Sequence, residues 1–170
     1  MIARILIGYV LCCAAALADG IPAQSYDALK LQHLDEPAPD FAIGGGQRLS
    51  SLGGRWVLLH FGATWCVPCR REMPALDRLY IRWHDGVDFV VVAIDEQRDG
   101  RVAAFAQSLG LHMPLLNLDA AAATPRYWTW GVPVTYLINP AGNIVARAMG
   151  DRDWDGPAAA ALMQSLAGTD

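Results

Sequence analysis

Cys66 and Cys69 stand two residues apart in the stretch Trp65-Cys66-Val67-Pro68-Cys69. A pair at that spacing can close a small, reversible disulfide. Where a strand gives way to a helix, the unpaired N–H groups and dipole of the helix start also favour an anion at the first cysteine. Thiolates attack disulfides, so the two residues are the working part of a dithiol redox centre. A structural crosslink explains the pair poorly, because so short a loop constrains the unfolded chain little. A small buried hydrophobe, the common role of a free cysteine, leaves the second cysteine unexplained.

Two further side chains have the right types and places to act on these thiols. Glu72 lies three residues beyond Cys69 and shares a helical face with it, although a solvated helix glutamate is the plain alternative. His60 precedes Cys66 by six residues, and strand alternation puts it on the face of Trp56 and Leu58. A satisfied core histidine is its first reading. The alternative is a tuning residue near Cys69 or Glu72, where a carboxylate raises the imidazole pKa and burial lowers it. A protonated ring there would stabilise a thiolate and make the disulfide more oxidising.

Metal and haem chemistry find less support. Cys66, Cys69 and His60 are too few for a closed zinc site, and His33, His84 and His112 are isolated without metal-ligand spacing. Arg70 stands where haem attachment needs a histidine. No cofactor and no metal is expected. The net charge is −4 and Arg70-Arg71 is the one basic pair of note, so nucleic acid is not an expected partner.

The elements that position these residues begin after an N-terminal address. Residues 1–4 carry one positive charge, residues 5–17 are apolar, and Ala16-Leu17-Ala18 offers the small residues of a cleavage site. This reads as a signal peptide over residues 1–18, with an uncleaved anchor as the alternative. Leu11 before Cys12 argues against lipidation, so Cys12 and Cys13 are expected to leave with the signal. Export implies an oxidising compartment.

Residues 19–36 read as a leader, and the remaining length suits one domain. Residues 40–43, a glycine turn and residues 48–50 read as a short strand and its return. Buried strands are expected at 55–61 and 88–94, with a helix from about 67 to 84 between them. Pro68 is tolerated in that helix's first turn. A helix at 101–109, a strand at 113–118 and an alanine-rich segment capped by Asp119 follow. A hairpin of 134–138 and 144–149 around Asn139-Pro140-Ala141-Gly142-Asn143 precedes a closing helix at 157–166. The alternation is that of an α/β domain.

Two segments carry a family resemblance: Phe61-Gly62-Ala63-Thr64-Trp65-Cys66-Val67-Pro68-Cys69-Arg70-Arg71-Glu72-Met73-Pro74 and Gly131-Val132-Pro133-Val134-Thr135-Tyr136-Leu137-Ile138-Asn139. In this order they resemble the exported TlpA/ResA-like thiol-disulfide oxidoreductases of the thioredoxin superfamily, over residues 37–168. The resemblance implies a thioredoxin-like three-layer fold, a central mixed sheet flanked by helices, with an N-terminal β-hairpin extension. It implies dithiol exchange with protein disulfides in the bacterial periplasm, as a reductase supplied by a membrane electron donor of the thiol-disulfide type. Cytochrome c maturation or metal-centre assembly would be the setting. Membrane contact is expected only through the N-terminal segment, if that stays uncleaved.

By the same resemblance Cys66 is the exposed nucleophile, Cys69 the shielded resolving thiol, and Glu72 the carboxylate that assists proton movement. Pro133 takes the place of a cis-proline facing the dithiol. The backbone of Val132 pairs with an extended substrate. Trp65 borders the substrate groove, and Trp128 and Trp130 are further candidates. Two departures stand out: His60 where relatives carry aspartate or asparagine, and Gly62 where they carry an aromatic. A peroxiredoxin-like peroxidase shares the Pro39-Asp40-Phe41 opening, but that chemistry uses a lone cysteine with a threonine three residues before it.

Overall fold

The computed structural model describes residues 20–96, 100–118, 127 and 131–168. The N-terminal segment read as a signal, with Cys12 and Cys13, the alanine-rich segment from Asp119, and Trp128 and Trp130 lie outside the described residues. The chain runs α1 (Ala23–Ala28), β1 (Gln32–Pro37), β2 (Ala42–Gly44), β3 (Gln47–Arg48), a 3-10 turn (Leu49–Leu52), β4 (Val57–Gly62) and α2 (Val67–Trp83). It continues β5 (Asp88–Ala93), α3 (Arg101–Ser108), β6 (Leu115–Asn117), β7 (Val134–Ile138), β8 (Asn143–Met149) and α4 (Pro157–Ala167).

Six strands form one mixed sheet in the order β1-β8-β7-β4-β5-β6, and β2 and β3 pair as a separate two-stranded sheet. β4, β5 and β6 are parallel, whereas β7 is antiparallel to β4, β8 to β7 and β1 to β8. Every residue of β4 is buried, as a strand covered on both faces requires. Alternation divides it. Leu58 joins Leu76 of α2, Phe105 of α3 and Leu162 of α4 in one core. Val57, Leu59 and Phe61 pack on the other face with Phe41, Ile43, Leu49 and Tyr127. Right-handed crossovers from β4 to β5 and from β5 to β6 put α2 and α3 on the same face. The opposite face is covered by the β2–β3 hairpin, the 3-10 turn and Tyr127, whose ring stacks on Phe61 at 5.2 Å.

Residues 20–36, most of the segment read as a leader, pack onto the domain. Ile21 and Leu29 are buried in the helix-side core, and β1 is the edge strand paired with β8. The reason lies in a few apolar anchors rather than in a periodic pattern. Gln32–Pro37 alternates too weakly to read as a strand, and it is held by ladder hydrogen bonds at the open edge of β8. Arg152 fastens the segment further, donating from Nε to the Leu29 carbonyl at 2.6 Å. Among the described residues no helix is long and apolar enough to cross a membrane.

Candidate active site

β4, an inner strand, delivers the chain to one end of the sheet, where the turn of residues 63–66 leads into α2. Buried Asp95, just after β5, holds that turn: it accepts from the Thr64 N–H at 3.0 Å and from the Thr64 hydroxyl. Cys66 is the N-cap of α2, and its sulfur accepts from the Cys69 N–H at 3.3 Å. The first turn is stiffened by Pro68, whose missing N–H costs nothing there.

Cys66 and Cys69 are joined in a disulfide, with Cα atoms 5.3 Å apart. Cys66 is 5% exposed and Cys69 is fully buried, so the expected order of access is present but its contrast is small. Trp65 and Val67 frame Cys66 and are each 65% exposed, an apolar rim around a sulfur that barely reaches solvent. Across the cleft, the Val132–Pro133 peptide bond is cis, and the Val132 carbonyl oxygen lies 3.6 Å from Cys66 Sγ. Ile94 and Val132 pack against the small cluster of Ala63 and the two cysteines.

Glu72 is buried at 4% exposure, which overturns the solvated alternative. Its Oε2 accepts from the Arg152 backbone N–H at 3.1 Å and from the Trp154 indole N–H at 3.0 Å. Burial pushes its carboxyl up from 4.5 to about 7; these hydrogen bonds oppose the rise and the charge of Asp151 adds to it. A helical side chain leans over the turn N-terminal to its own Cα, so Glu72 leans toward Cys69.

His60 is fully buried beneath the same helix. Strand register sets it opposite Thr135, and Nδ1 lies 2.9 Å from the Thr135 hydroxyl oxygen. Its Nε2 faces Glu72 Oε1 at 3.7 Å. Burial pushes the ring down from 6.5 to about 3, which weighs against the alternative of a protonated tuning residue and toward a core histidine, the first reading of this position. His60 is neutral in the working range. Gly62 explains how a ring fits there. A Cβ at Gly62 would lie 3.3 Å from His60 Nε2, 3.3 Å from Met73 Cε and 3.5 Å from Cys69 Cβ.

The structure thus gathers Cys66, Cys69, Glu72, Trp65, Val132, Pro133 and His60 at one end of the sheet. It adds residues the sequence did not single out: Asp95 as anchor of the loop, Thr135 beside His60, and Arg152 with Trp154 on Glu72. Thr135 follows Pro133 in a quoted segment, yet no sequence signal pairs it with His60. Among the described residues no group of three histidine, cysteine or acidic side chains is placed to hold a metal.

Residues 34–147 match the AhpC/TSA family. The thiol-disulfide oxidoreductase ResA of Geobacillus thermodenitrificans is 33% identical over 135 residues, covering 76% of this chain and 77% of that protein. ResA of Bacillus cereus is 30% identical over 156 residues, covering 88% and 87%. Among solved structures, a thiol:disulfide interchange protein of the thioredoxin family from Chlorobium tepidum TLS superposes with a TM-score of 0.60 at 28% identity. That match covers 77% of this chain and 99% of the other. With the dithiol at the start of α2 and a cis-proline loop beside it, the chain belongs to the AhpC/TSA family and, within the thioredoxin superfamily, to the ResA/TlpA-like thiol-disulfide oxidoreductases.

Proposed function

We propose that the protein is an exported disulfide reductase that acts on protein substrates through Cys66 and Cys69. The observation that carries this reading is the Cys66–Cys69 disulfide at the N-terminus of α2, with Cys66 Sγ against the Val132 carbonyl. In the reduced protein the Cys69 N–H and the helix start favour a thiolate at Cys66. That thiolate attacks one sulfur of a substrate disulfide. A mixed disulfide forms and the substrate's other sulfur leaves as a thiolate. Cys69 gives its proton to Glu72, attacks Cys66 Sγ and releases the second substrate sulfur. Two electrons have then passed to the substrate, and the enzyme disulfide has re-formed.

Glu72 suits the middle step because its carboxyl, at about 7, both takes and returns a proton near neutrality. An extended substrate strand would lie along Val132, with the rims of Trp65 and Val67 on either side. Return of the protein to its dithiol form needs a membrane donor of the thiol-disulfide type; the N-terminal apolar segment, if it stays uncleaved, would hold the protein beside that donor. Cytochrome c maturation or metal-centre assembly in the periplasm remains the proposed setting.

The test is trapping. Cys69→Ala, expressed in the native host, should retain substrates linked to Cys66, identified by mass spectrometry after reduction. Adducts on a different residue, or none above the level of a Cys66→Ser/Cys69→Ala control, would refute the assignment. The AhpC/TSA match also calls for a peroxidase control. Peroxide consumption outpacing disulfide reduction by the purified protein would replace this reading with the peroxidase one.

A further inference from the structure

Two buried polar atoms of the site lack a hydrogen-bond partner among the described residues, and they face each other: His60 Nε2 and Glu72 Oε1, 3.7 Å apart. Buried groups left unpaired are costly, so two of them aimed together require an account. The other polar atom of each side chain is engaged. His60 Nδ1 meets the Thr135 hydroxyl at 2.9 Å, and Glu72 Oε2 accepts from the Arg152 N–H and the Trp154 indole. The gap exceeds a hydrogen bond by only about 0.5 Å, less than a change of rotamer would move either atom.

A neutral imidazole carries one N–H, on either nitrogen, and a threonine hydroxyl can donate or accept. With the proton on Nε2, the ring donates toward an ionised Glu72 while Thr135 donates to Nδ1. With the proton on Nδ1, Thr135 accepts and the bare Nε2 accepts from a protonated Glu72. We infer that His60 is a positioning residue for Glu72: its Nε2–H donates to the ionised carboxylate, its Nδ1–H tautomer accepts from the acid, and the Thr135 hydroxyl completes either form.

The inference rests on the proposed role of Glu72 as proton acceptor for Cys69. The net change when Glu72 titrates is one proton bound at Oε1. The ring proton changes nitrogen by exchange with water, so His60 keeps the same charge. Burial holds the ring neutral throughout, consistent with its midpoint near 3. The other groups facing the pair are Cys69 from α2, and Asp151, Arg152 and Trp154 from the segment after β8. The Arg152 guanidinium is taken up by the carbonyls of Leu29, Met149 and Asp151.

The first test needs no substitution. In 15N-histidine-labelled protein, the pyridine-type and pyrrole-type signals of His60 should trade places between Nδ1 and Nε2 with a midpoint near 7, where Glu72 titrates. A single tautomer across pH 5–9 would overturn the inference. The second test follows release of a reporter thiol from its mixed disulfide with Cys66, by stopped flow against pH. A hydrogen bond to an ion is about twice as strong as one between neutral groups, so His60 favours the ionised carboxylate. His60→Leu should move the midpoint of the profile about 0.7 pH unit higher, the equivalent of about 1 kcal/mol, and so slow resolution about threefold at pH 7. Rates should converge at high pH, and His60→Gln, which restores a donor, should recover much of the loss. If Glu72→Gln leaves resolution untouched, the proton-acceptor reading itself fails. If Glu72→Gln slows it while His60→Leu shifts nothing, the role of Glu72 stands and that of His60 falls.

Discussion

Replacing Glu72 by glutamine should change the pH dependence of stability in a direction set by burial. In the folded protein the carboxyl lies at about 7 against an ordinary 4.5. An acid whose folded midpoint is raised binds its proton more tightly when folded. Its contribution to stability is therefore complete below 4.5 and lost as the pH climbs through about 7. The separation of the two midpoints corresponds to about 3 kcal/mol. His60 works in the opposite sense. Its folded midpoint is depressed from 6.5 to about 3, so the unfolded chain takes a proton that the folded one refuses, and stability falls as the pH drops below 6.5. Between 4.5 and 6.5 the two slopes offset each other, and their joint contribution in wild type is nearly level. Glu72→Gln leaves the His60 slope exposed, so the variant should gain stability with rising pH across that window. The difference between variant and wild type should grow by about 3 kcal/mol from pH 4.5 to pH 8. Urea denaturation of the oxidised proteins at fixed m-value measures it, with the shared carboxylates cancelling in the difference. A difference that stays constant over that range would refute the reasoning.

Cys66→Ser should abolish disulfide reduction, while Cys69→Ser should accumulate unresolved mixed disulfides; faster iodoacetamide labelling of Cys69 than of Cys66 in the reduced protein would reverse these roles. Gly62→Ala places a methyl 3.3 Å from both His60 Nε2 and Met73 Cε, so it should cost about 1–3 kcal/mol and shift the Glu72 midpoint, read by the same urea series. Asp95→Ala strands the Thr64 N–H beneath the dithiol loop and should cost about 1–3 kcal/mol, with slower thiol exchange by the variant. Gly86→Ala is a control far from the dithiol: its methyl would meet Ala167 Cβ at 2.6 Å, lowering stability without altering exchange per folded molecule.

The sequence alone was enough for the dithiol, the helix it opens and the strands that flank it. Those signals are local: a two-residue cysteine spacing, a proline in a first helical turn, and runs of Val and Leu long enough for a doubly covered strand. It also placed Glu72 on the Cys69 face and His60 on the Leu58 face, since both follow from the periods of helix and strand. How far each is buried depends on long-range packing, and burial sets their protonation. The neighbouring carboxylate and the low-dielectric interior push the His60 ring in opposite directions, and no residue count says which wins; full enclosure beneath α2 does. The pairing of His60 with Thr135 spans 75 positions and depends on strand register. The grip of Arg152 and Trp154 on Glu72 spans 80 and 82. The folding of residues 20–36 was hidden for the same reason. An edge strand is held by a neighbour's unpaired N–H and C=O groups, which leave little trace in its own side chains.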